Sequence, residues 1–321
     1  MHPVTFARLL VFTLPLTLLL TFALKQYEYP RLRRQAMDAL TADSDAAAQR
    51  EDLHIINTYT TVASEDTPRC SQAERAALFR AGVKLAGDNA SRWLLDSGWG
   101  ESADCCEWRG VGCGARGGVT RLTLAREGLR GTVPTEIFAG ALDALASVDL
   151  NDNPRLSGTL PAAAFSSSSR LTHLYAYGCS RLSGTLPAQL GAAAALQELE
   201  LSACRLSGTL PPGLGAMASL RFVFLEHNRL SGSVPPSLSR LRQLRELELS
   251  HNRLEGSLPA RVARMHLDHL DVEDNPRLSG APRQAPKQGC SGGGDRYLRG
   301  SPQGRAAGEA RSRGAEGARD T

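Results

Sequence analysis

The sequence predicts an α/β fold built as a solenoid, a coil of about seven similar turns with a parallel β-sheet along one side. One observation is the pattern L-x-x-L-x-L-x-x-N-x-L-x-G-x-L-P, whose clearest copy runs from 244 to 259. The other is its recurrence every 23 to 26 residues, with the asparagine position at Glu127, Asn153, Cys179, Cys204, Asn228, Asn252 and Asn275. Such a period is typical of repeat proteins whose stacked units share one core.

Each repeat begins with a short strand. In the copy at 244–259, Leu247 and Leu249 alternate with Glu246 and Glu248, so the leucines should point into the coil and the glutamates outward. The rest of the interior should be filled by Leu244, Leu254 and Leu258. Because one repeat cannot bury its apolar face alone, neighbouring repeats should stack into a single core and a single parallel sheet.

The turn of each repeat has its own chemistry. The side-chain amide of Asn252 can satisfy backbone groups that the strand leaves behind. Gly256 permits a backbone conformation that other residues resist, and Pro259 ends the local hydrogen-bond ladder.

The ending L-x-G-x-[LV]-P extends this pattern to a known family. It occurs at 129–134, 156–161, 182–187, 206–211, 230–235 and 254–259, and it decays to Leu278-Ser-Gly280-Ala-Pro282. With this ending the chain resembles the plant-type leucine-rich repeats of receptor-like proteins, receptor kinases and polygalacturonase inhibitors. The resemblance implies a right-handed horseshoe over 119–282, with a second short sheet beside the concave one. It specifies the fold, whereas the ligand is not fixed by the fold.

The segment 70–118 has a different composition and predicts a cap for the exposed end of the coil. Ser71 and Glu74 have the spacing of a capping box. They precede a helical run with one apolar face, formed by Leu78, Ala81 and Leu85. All three tryptophans of the chain follow, at Trp93, Trp99 and Trp108.

The cap also contains D-C-C-E-W-R-G-V-G-C at 104–113. It resembles the plant-type N-terminal cap of leucine-rich repeat ectodomains, and this resemblance implies disulfides Cys70–Cys105 and Cys106–Cys113. A zinc site is the competing interpretation, but C-C-x6-C does not match zinc spacing. Disulfides would indicate an oxidising compartment and therefore export.

Three cysteines and one sequon remain. Cys179 and Cys204 occupy the asparagine position of adjacent repeats, and they could form a disulfide or be buried thiols that replace asparagine. Cys290 could form an intermolecular bridge or stay unpaired. Asn89 begins the only glycosylation sequon, in a segment that we expect to be an exposed loop.

The flanks predict processing and linker segments. Residues 1–24 include an uncharged run from Leu9 to Leu24 that predicts either a cleaved signal peptide or a membrane anchor. Residues 25–69 predict a polar linker, and 283–321 a disordered Gly/Arg-rich tail. The tail holds eight lysines and arginines against four acidic residues, which accounts for the net charge of +4, so the folded part is near neutral.

Strand alternation places one set of side chains on the concave surface. Their outward rows hold ten carboxylates and two arginines, with aromatic residues at the centre. The bland interpretation is a solvated strand face, but exposed aromatic residues usually mark contact surfaces. The predicted ligand-binding residues are Tyr175, Tyr177, Glu198, Glu200, Phe222, Phe224, Glu226, Glu246 and Glu248.

This surface predicts recognition rather than catalysis. The sequence has no nucleophile elbow, metalloprotease, P-loop or kinase motif, and we expect no cofactor, no metal and no nucleic-acid partner. Calcium binding by the group Glu198, Glu200, Glu246 and Glu248 is a weaker alternative, because strand spacing spreads the oxygens.

Three functions from different classes remain open. The first is an extracellular, receptor-like recognition protein that binds a protein, peptide or glycan, with a basic partner best suited to the carboxylates. The second is an inhibitor of an extracellular cell-wall hydrolase, as the family resemblance allows. The third is a structural or adhesive surface protein whose repeats hold distance. Aromatic residues on the concave surface favour the first two.

Overall fold

The computed structural model describes residues 69–138, 140–165 and 170–280. These residues form an α/β solenoid with a helical cap, as the sequence predicts. The hydrophobic segment 1–24, the rest of the linker up to residue 68, the tail 283–321 and Cys290 lie outside the described residues. Within the described ranges, no helix combines the length and the apolar character needed to cross a membrane.

The strands form two sheets. They are β1 Val111–Cys113, β2 Val119–Thr123, β3 Ser147–Asp149, β4 Ser157–Gly158, β5 His173–Tyr175, β6 Arg181–Thr185, β7 Glu198–Glu200, β8 Arg205–Thr209, β9 Phe222–Phe224, β10 Arg229–Gly232, β11 Glu246–Glu248, β12 Arg253–Ser257, β13 His269–Asp271 and β14 Arg277–Ser279. The larger sheet has the order β1-β2-β3-β5-β7-β9-β11-β13, and the second sheet has the order β14-β12-β10-β8-β6-β4. This second sheet is the one that the family resemblance implies.

In the part of the chain that the structure describes, helices are short outside the cap. The α-helices are α1 Gln72–Ala86, α2 Ala90–Ser97, α3 Ala162–Phe165 and α4 Ala260–Ala263. Among the 3₁₀ turns, Gly87–Asn89 joins α1 to α2 and Cys105–Glu107 lies between α2 and β1, whereas the others connect strands, at Thr135–Ile137, Gly140–Leu142, Ala188–Ala192, Pro212–Ala216 and Pro236–Arg240. The proline before each of the last three turns ends the preceding strand segment, since its ring fixes the backbone and removes a donor.

The interior of the coil is a stack of leucines. Leu247 and Leu249 are 1% and 0% exposed, which confirms the predicted inward register. Leu254 is equally buried, and Leu258 and Leu244 are 3% and 5% exposed. The glycine of the repeat ending is also required locally, because Gly256 has φ of +81°, in the left-handed region that side chains disfavour.

Asparagine side chains connect the repeats. Asn252 Oδ1 accepts from the Leu230 N–H of the preceding repeat at 2.9 Å. Its Nδ2 donates to the carbonyls of Leu225, Leu249 and Ser250, at 2.9, 3.1 and 3.2 Å. The same four bonds recur at Asn153, Asn228 and Asn275. The amide therefore satisfies buried backbone groups of two repeats, as predicted.

Each of the two repeats with cysteine keeps one of these four side-chain bonds. Cys179 and Cys204 are free, buried thiols, so the asparagine-replacement interpretation holds and the disulfide alternative does not. Their Sγ atoms donate to carbonyls of the preceding repeat, at 3.3 Å to Leu150 and 3.2 Å to Ala176. The leucine N–H that an asparagine would accept from donates instead to a carbonyl of its own repeat. In the repeat before Cys204, the Leu182 N–H donates to the Cys179 carbonyl at 2.8 Å.

The cap covers the first repeat through helix α1 and strand β1. Ser71 and Glu74 make both bonds of the predicted capping box. Glu74 Oε1 also accepts from the buried Val119 N–H at 2.7 Å, which connects the cap helix to the first repeat strand. Strand β1 pairs antiparallel with β2, an addition to the sheet that the repeat pattern does not predict.

Disulfides and tryptophans hold the cap together. The structure joins Cys70 to Cys105 and Cys106 to Cys113, the pairing that the resemblance implies. The Trp99 ring lies 5.1 Å from the Trp93 ring and 5.5 Å from the Trp108 ring, measured between centroids. Trp99 is fully buried, and its Nε1 donates to the Arg109 carbonyl at 2.8 Å.

Asn89 does not lie in the exposed loop that we expected. It is half-buried and ends the 3₁₀ turn Gly87–Asn89 directly before α2. The reason is that α1 and α2 are joined by this single turn, which leaves no free loop at the sequon.

Candidate functional site

The larger sheet sets the register of the candidate site. We call its outward side chains the concave face. One row reads Arg121, Ser147, His173, Glu198, Phe222, Glu246, His269, and the next reads Thr123, Asp149, Tyr175, Glu200, Phe224, Glu248, Asp271. These rows are the ones that strand alternation predicts.

Two phenylalanines of strand β9 form the centre of the face. Phe222 and Phe224 are both half-buried, so each ring keeps a solvent-accessible part. Their centroids lie 6.4 Å apart, with 10° between the ring planes. The Arg221 guanidinium lies over the Phe222 ring at 5.6 Å from its centroid. The face of the Phe222 ring therefore already makes a cation–π contact with the arginine that precedes strand β9.

Glutamates stand on both sides of this aromatic pair. Glu198 and Glu246 pair with Phe222 in the parallel register, and Glu200 and Glu248 pair with Phe224. Three neighbouring strands thus carry Glu-x-Glu, Phe-x-Phe and Glu-x-Glu. Neighbouring strands lie about 4.8 Å apart, so the carboxylates border the rings directly.

The tyrosines occupy the strand beyond Glu198. Tyr175 donates its hydroxyl proton to Glu198 Oε2 at 2.8 Å. Burial, together with the adjacent Glu198 carboxylate, raises the pKa of Tyr175 above its ordinary value. Burial also raises the pKa of Tyr177, with a smaller contribution from Asp152. Both phenols therefore act as neutral hydrogen-bonding groups.

Three predicted ligand-binding residues are not exposed, which corrects the expectation that alternation alone places them in solvent. Tyr175, Glu200 and Glu226 are 5%, 4% and 4% exposed. Long side chains on one face of a tightly spaced parallel sheet cover one another, so facing outward does not guarantee exposure. Tyr177, Glu198, Glu246, Glu248, Phe222 and Phe224 remain partly accessible.

Several buried carboxylates of the second row serve the backbone. Asp149 accepts from the Asn151 N–H at 3.0 Å, and Glu200 accepts from the Ser202 N–H at 2.9 Å. Asp271 accepts in the same way from the residue two positions ahead, at 3.0 Å. Phe224 occupies this row without an acceptor atom. Phe224 therefore cannot accept the backbone hydrogen bond that the carboxylates of this row accept.

The carboxylates of the face are electrostatically crowded. Burial raises the pKa of Glu200 well above the ordinary glutamate value of 4.5, and the neighbouring Glu226 raises it further. Burial likewise raises the pKa of Glu198, with a contribution from Glu246, although the Tyr175 hydroxyl opposes the shift. Burial also raises the pKa of Asp149. A cation placed here would lower the electrostatic cost of ionising these groups.

The calcium alternative has no support from the geometry. Among the described residues, the His, Cys, Asp and Glu side chains that come together closely enough to hold a metal are Cys70, Cys105 and Cys106. Four cap cysteines, these three included, are already joined in disulfides. The group Glu198, Glu200, Glu246 and Glu248 does not gather its oxygens in this way.

The last outward row forms a corner and not a strand. Arg126, Asp152, Ala203, His227, His251 and Asp274 all have φ between 52° and 61°, and Gly178 has φ of 71°. His227 and His251 stack with their ring centroids 4.1 Å apart. Strand alternation alone predicts an outward position for these residues, but it does not predict the left-handed backbone. The single glycine in the row, Gly178, was the available signal.

Two residues beside the site were not among the predicted binding residues. Arg221 covers part of the Phe222 ring, and His269 lies beside Glu248, with 3.7 Å between Nε2 and Oε1. Arg221 immediately precedes the aromatic strand, so its proximity in sequence could have found it. His269 closes the first row and marks the end of the face.

Comparisons with known proteins agree with this architecture. The leucine rich repeat family profile matches residues 194–254. A probable leucine-rich repeat receptor-like protein kinase of Arabidopsis thaliana is 34% identical over 99 residues, covering 29% of this chain and 9% of that protein. Polygalacturonase inhibitor 1 of Oryza sativa subsp. japonica is 35% identical over 96 residues, covering 29% of this chain and 27% of that protein. The chain thus spans about a tenth and about a quarter of these two relatives.

Solved structures extend the likeness over more of the chain. The crystal structure of a pollen receptor kinase 3 is 30% identical and covers 56% of this chain and 84% of that chain, with a TM-score of 0.50. The crystal structure of PEPR1–AtPEP1 is 26% identical and covers 65% of this chain and 32% of that chain, also with a TM-score of 0.50. Together with the repeats and the disulfide-bonded cap, these findings show that the chain belongs to the plant-type leucine-rich repeat proteins.

Proposed function

We propose that this chain is a non-enzymatic, receptor-like recognition protein that binds a basic peptide or protein on its concave face. The observation that carries the proposal is the partly accessible pair Phe222 and Phe224, bordered in register by glutamates on both neighbouring strands. The aromatic rings offer apolar contact and the carboxylates offer charge complementarity. Lysine and arginine side chains combine the apolar stem and cationic head that suit both.

Each part of the site has a distinct role in this proposal. The rings should supply most of the affinity, because aromatic anchors in partly desolvated positions dominate binding energy. The accessible Glu198, Glu246 and Glu248 should mainly steer the ligand and set the salt dependence. Buried Glu200 and Glu226 should act on the ligand electrostatically, without direct contact. Tyr177 should contact the ligand at the edge of the site. Tyr175 should position Glu198 through its hydrogen bond.

The likeness to receptor ectodomains supports a peptide or protein as the ligand. One of the similar solved structures pairs PEPR1 with AtPEP1. A glycan ligand remains a third possibility within the same function, because aromatic rings beside carboxylates also stack on sugars. The protein has no catalytic role in this proposal, since a shallow open sheet face excludes little water from a reacting group.

A second candidate is inhibition of a cell-wall hydrolase, and the 35% identity to the rice polygalacturonase inhibitor favours it. The two candidates differ in what they bind. An inhibitor should lower the activity of a purified polygalacturonase in proportion to its concentration, whereas a peptide receptor should leave that activity unchanged. A structural or adhesive role would give neither inhibition nor a specific ligand.

We also propose that the chain is exported and that residues 1–24 direct or anchor it, with the repeats on the extracytoplasmic side. The cap disulfides support an oxidising compartment. We retain the domain division into 1–24, 25–69, 70–118, 119–282 and 283–321, and glycosylation at Asn89. Mass spectrometry of the mature protein tests the processing of residues 1–24 and the glycosylation, because it gives the first residue and the mass on Asn89.

The binding proposal is tested by selecting ligands from a random peptide library displayed on phage, with the full chain as bait. Selected peptides should be enriched in lysine and arginine and should be lost with the variant Phe222→Ala/Phe224→Ala. The matched control is Thr185→Ala/Thr209→Ala, two exposed neutral positions on the second sheet, and it should retain them. Selection without basic enrichment, or equal binding to the aromatic variant, would refute the concave-face site.

A further inference from the structure

Four arginines surround one cavity at the C-terminal end of the solenoid. The cavity has a volume of about 600 Å³ and is lined by Ser239, Arg240, Arg242, Arg261 and Arg264. Arg240 ends the 3₁₀ turn Pro236–Arg240, and Arg261 lies in helix α4 of the next repeat. The four positive charges therefore come from the connecting segments of two neighbouring repeats, and none of them belongs to the concave face.

The described part of the chain supplies no counter-charge to these guanidinium groups. All four arginines are exposed, and in the described part of the chain no carboxylate lies within ion-pair distance of any of them. Elsewhere in the same region, by contrast, Arg245 and Arg277 lie beside Asp268 and Glu255. Four like charges around one cavity repel one another and create a positive potential that attracts anions.

The solenoid itself does not need arginine at these positions. Arg240 and Arg264 are each the fifth residue after the proline of the repeat ending, and the fifth residue is alanine in the two preceding repeats, at Ala192 and Ala216. Arg242 is the seventh residue, where those repeats have Ala194 and Ala218. The turns Ala188–Ala192 and Pro212–Ala216 have the same length as Pro236–Arg240. The arginines are thus an addition to an otherwise unchanged turn.

We propose that this cavity, which we call the arginine groove, binds a multivalent oxyanion. Guanidinium forks match the paired oxygens of carboxylate, sulfate and phosphate groups and bind them in bidentate fashion. Because the four forks are spread over two repeats, the groove suits a ligand with at least two anionic groups. The Ser239 hydroxyl, which donates to the Pro236 carbonyl at 2.8 Å, can still accept a hydrogen bond from a water that accompanies the ligand.

The arginine groove is independent of the concave face. It has the opposite charge and lies on connecting segments, so an anionic ligand there and a basic ligand on the sheet would not compete for the same side chains. The proposal therefore stands or falls separately from the proposed recognition function.

The test is isothermal titration of the full chain with three oxyanion probes at about 50 mM salt, where screening is modest. The probes are inorganic tripolyphosphate, a sulfated heparin-type oligosaccharide and vesicles with anionic lipid, and neutral dextran is the negative probe. They separate free phosphate, an acidic sugar and a membrane headgroup as sources of the same chemistry. At least one probe should bind saturably, and the affinity should fall as salt rises.

The decisive variants remove two positive charges each. Arg240→Ala/Arg264→Ala gives the groove the residue that the preceding repeats already carry, and it should weaken binding at least about tenfold. Arg229→Ala/Arg253→Ala removes two exposed charges from the second sheet of the same repeats and should change binding less than about twofold. Equal losses in the two variants would mean diffuse charge attraction, and no saturable binding of any probe would exclude the site; either result overturns the proposal.

Discussion

The interior of the coil and its concave face are formed by the same repeats, but their residues vary differently from one repeat to the next. Inside, leucine and asparagine recur at fixed positions, and their contacts recur with them. On the concave face, the residue changes from one strand to the next, from Glu198 to Phe222 to Glu246. Positions that repeat are those that every turn of the solenoid needs. Positions that change are free of that requirement and are where recognition can be encoded.

The interior should give the largest effect on stability. Leu249→Ala removes a fully buried side chain and should lower the free energy of unfolding by about 2–5 kcal/mol. Urea denaturation followed by circular dichroism measures the change. Arg253→Ala, an exposed position of the next strand, is the control and should change it by less than about 0.5 kcal/mol. Equal effects would mean that the inward and outward register is wrong.

The asparagine ladder should come next. Asn252→Ala loses four buried hydrogen bonds and should cost roughly 3 kcal/mol. Cys204→Ala loses one thiol bond at the equivalent position and should cost about 1 kcal/mol. The same denaturation experiment compares them. If Cys204→Ala proved as costly as Asn252→Ala, the ladder would not be the source of the difference.

The pH dependence of stability should show that burying a carboxylate on the concave face lowers the free energy of unfolding at neutral pH. Burial raises the pKa of Glu200 above 4.5, so the folded state holds that proton more tightly than the unfolded state. The contribution of Glu200 should therefore become more favourable as the pH falls from neutrality towards 4.5, and it should be lost as the pH rises through the folded-state pKa.

Glu200→Gln removes this titration but keeps an oxygen that can accept from the Ser202 N–H. The variant should be more stable than the parent protein at neutral pH and should vary less with pH. Thr209→Ala, on an exposed residue of the second sheet that carries no ionisable group, is the control and should leave the profile nearly unchanged. Denaturation at a series of pH values measures this, and an unchanged slope in Glu200→Gln would contradict the assignment.

The smallest expected effect lies at the left-handed corner. Ala203 has φ of 53°, a conformation that glycine adopts without strain, so Ala203→Gly should stabilise the protein by about 1 kcal/mol. Gly178→Ala makes the reverse change in the adjacent repeat and should destabilise it. The added Cβ would also meet Asp152 Oδ1 at 3.0 Å. Opposite signs in thermal denaturation are expected, and a loss of stability in Ala203→Gly would contradict this view of the corner.

The interior was predictable because its period fixes its geometry. The alternation of Leu247 and Leu249 with glutamates fixes the register, and the asparagine position predicts the amide bonds. Exposure on the concave face was not predictable in the same way. Tyr175 and Glu200 are outward-facing yet buried, because the side chains of closely spaced strands cover one another. That covering depends on the neighbouring strands' side chains, which a single repeat does not contain.

The cap shows a second limit of the sequence. Its capping box and cysteines are local patterns, and both were found. The antiparallel pairing of β1 with β2 depends on where the chain turns back between Cys113 and Val119, and the repeat pattern carries no information about it. The arginine groove likewise appears only when two distant connecting segments are brought together.

The most direct test of the separation between fold and recognition measures both properties in one variant, Phe222→Ala/Phe224→Ala. With a basic peptide selected on the parent protein, affinity by titration calorimetry should fall several hundredfold, since two aromatic anchors at about 2 kcal/mol each on truncation together contribute about 4 kcal/mol. The free energy of unfolding should fall by less than that of Leu249→Ala. Unchanged affinity, or a loss of stability as large as that of Leu249→Ala, would contradict the account.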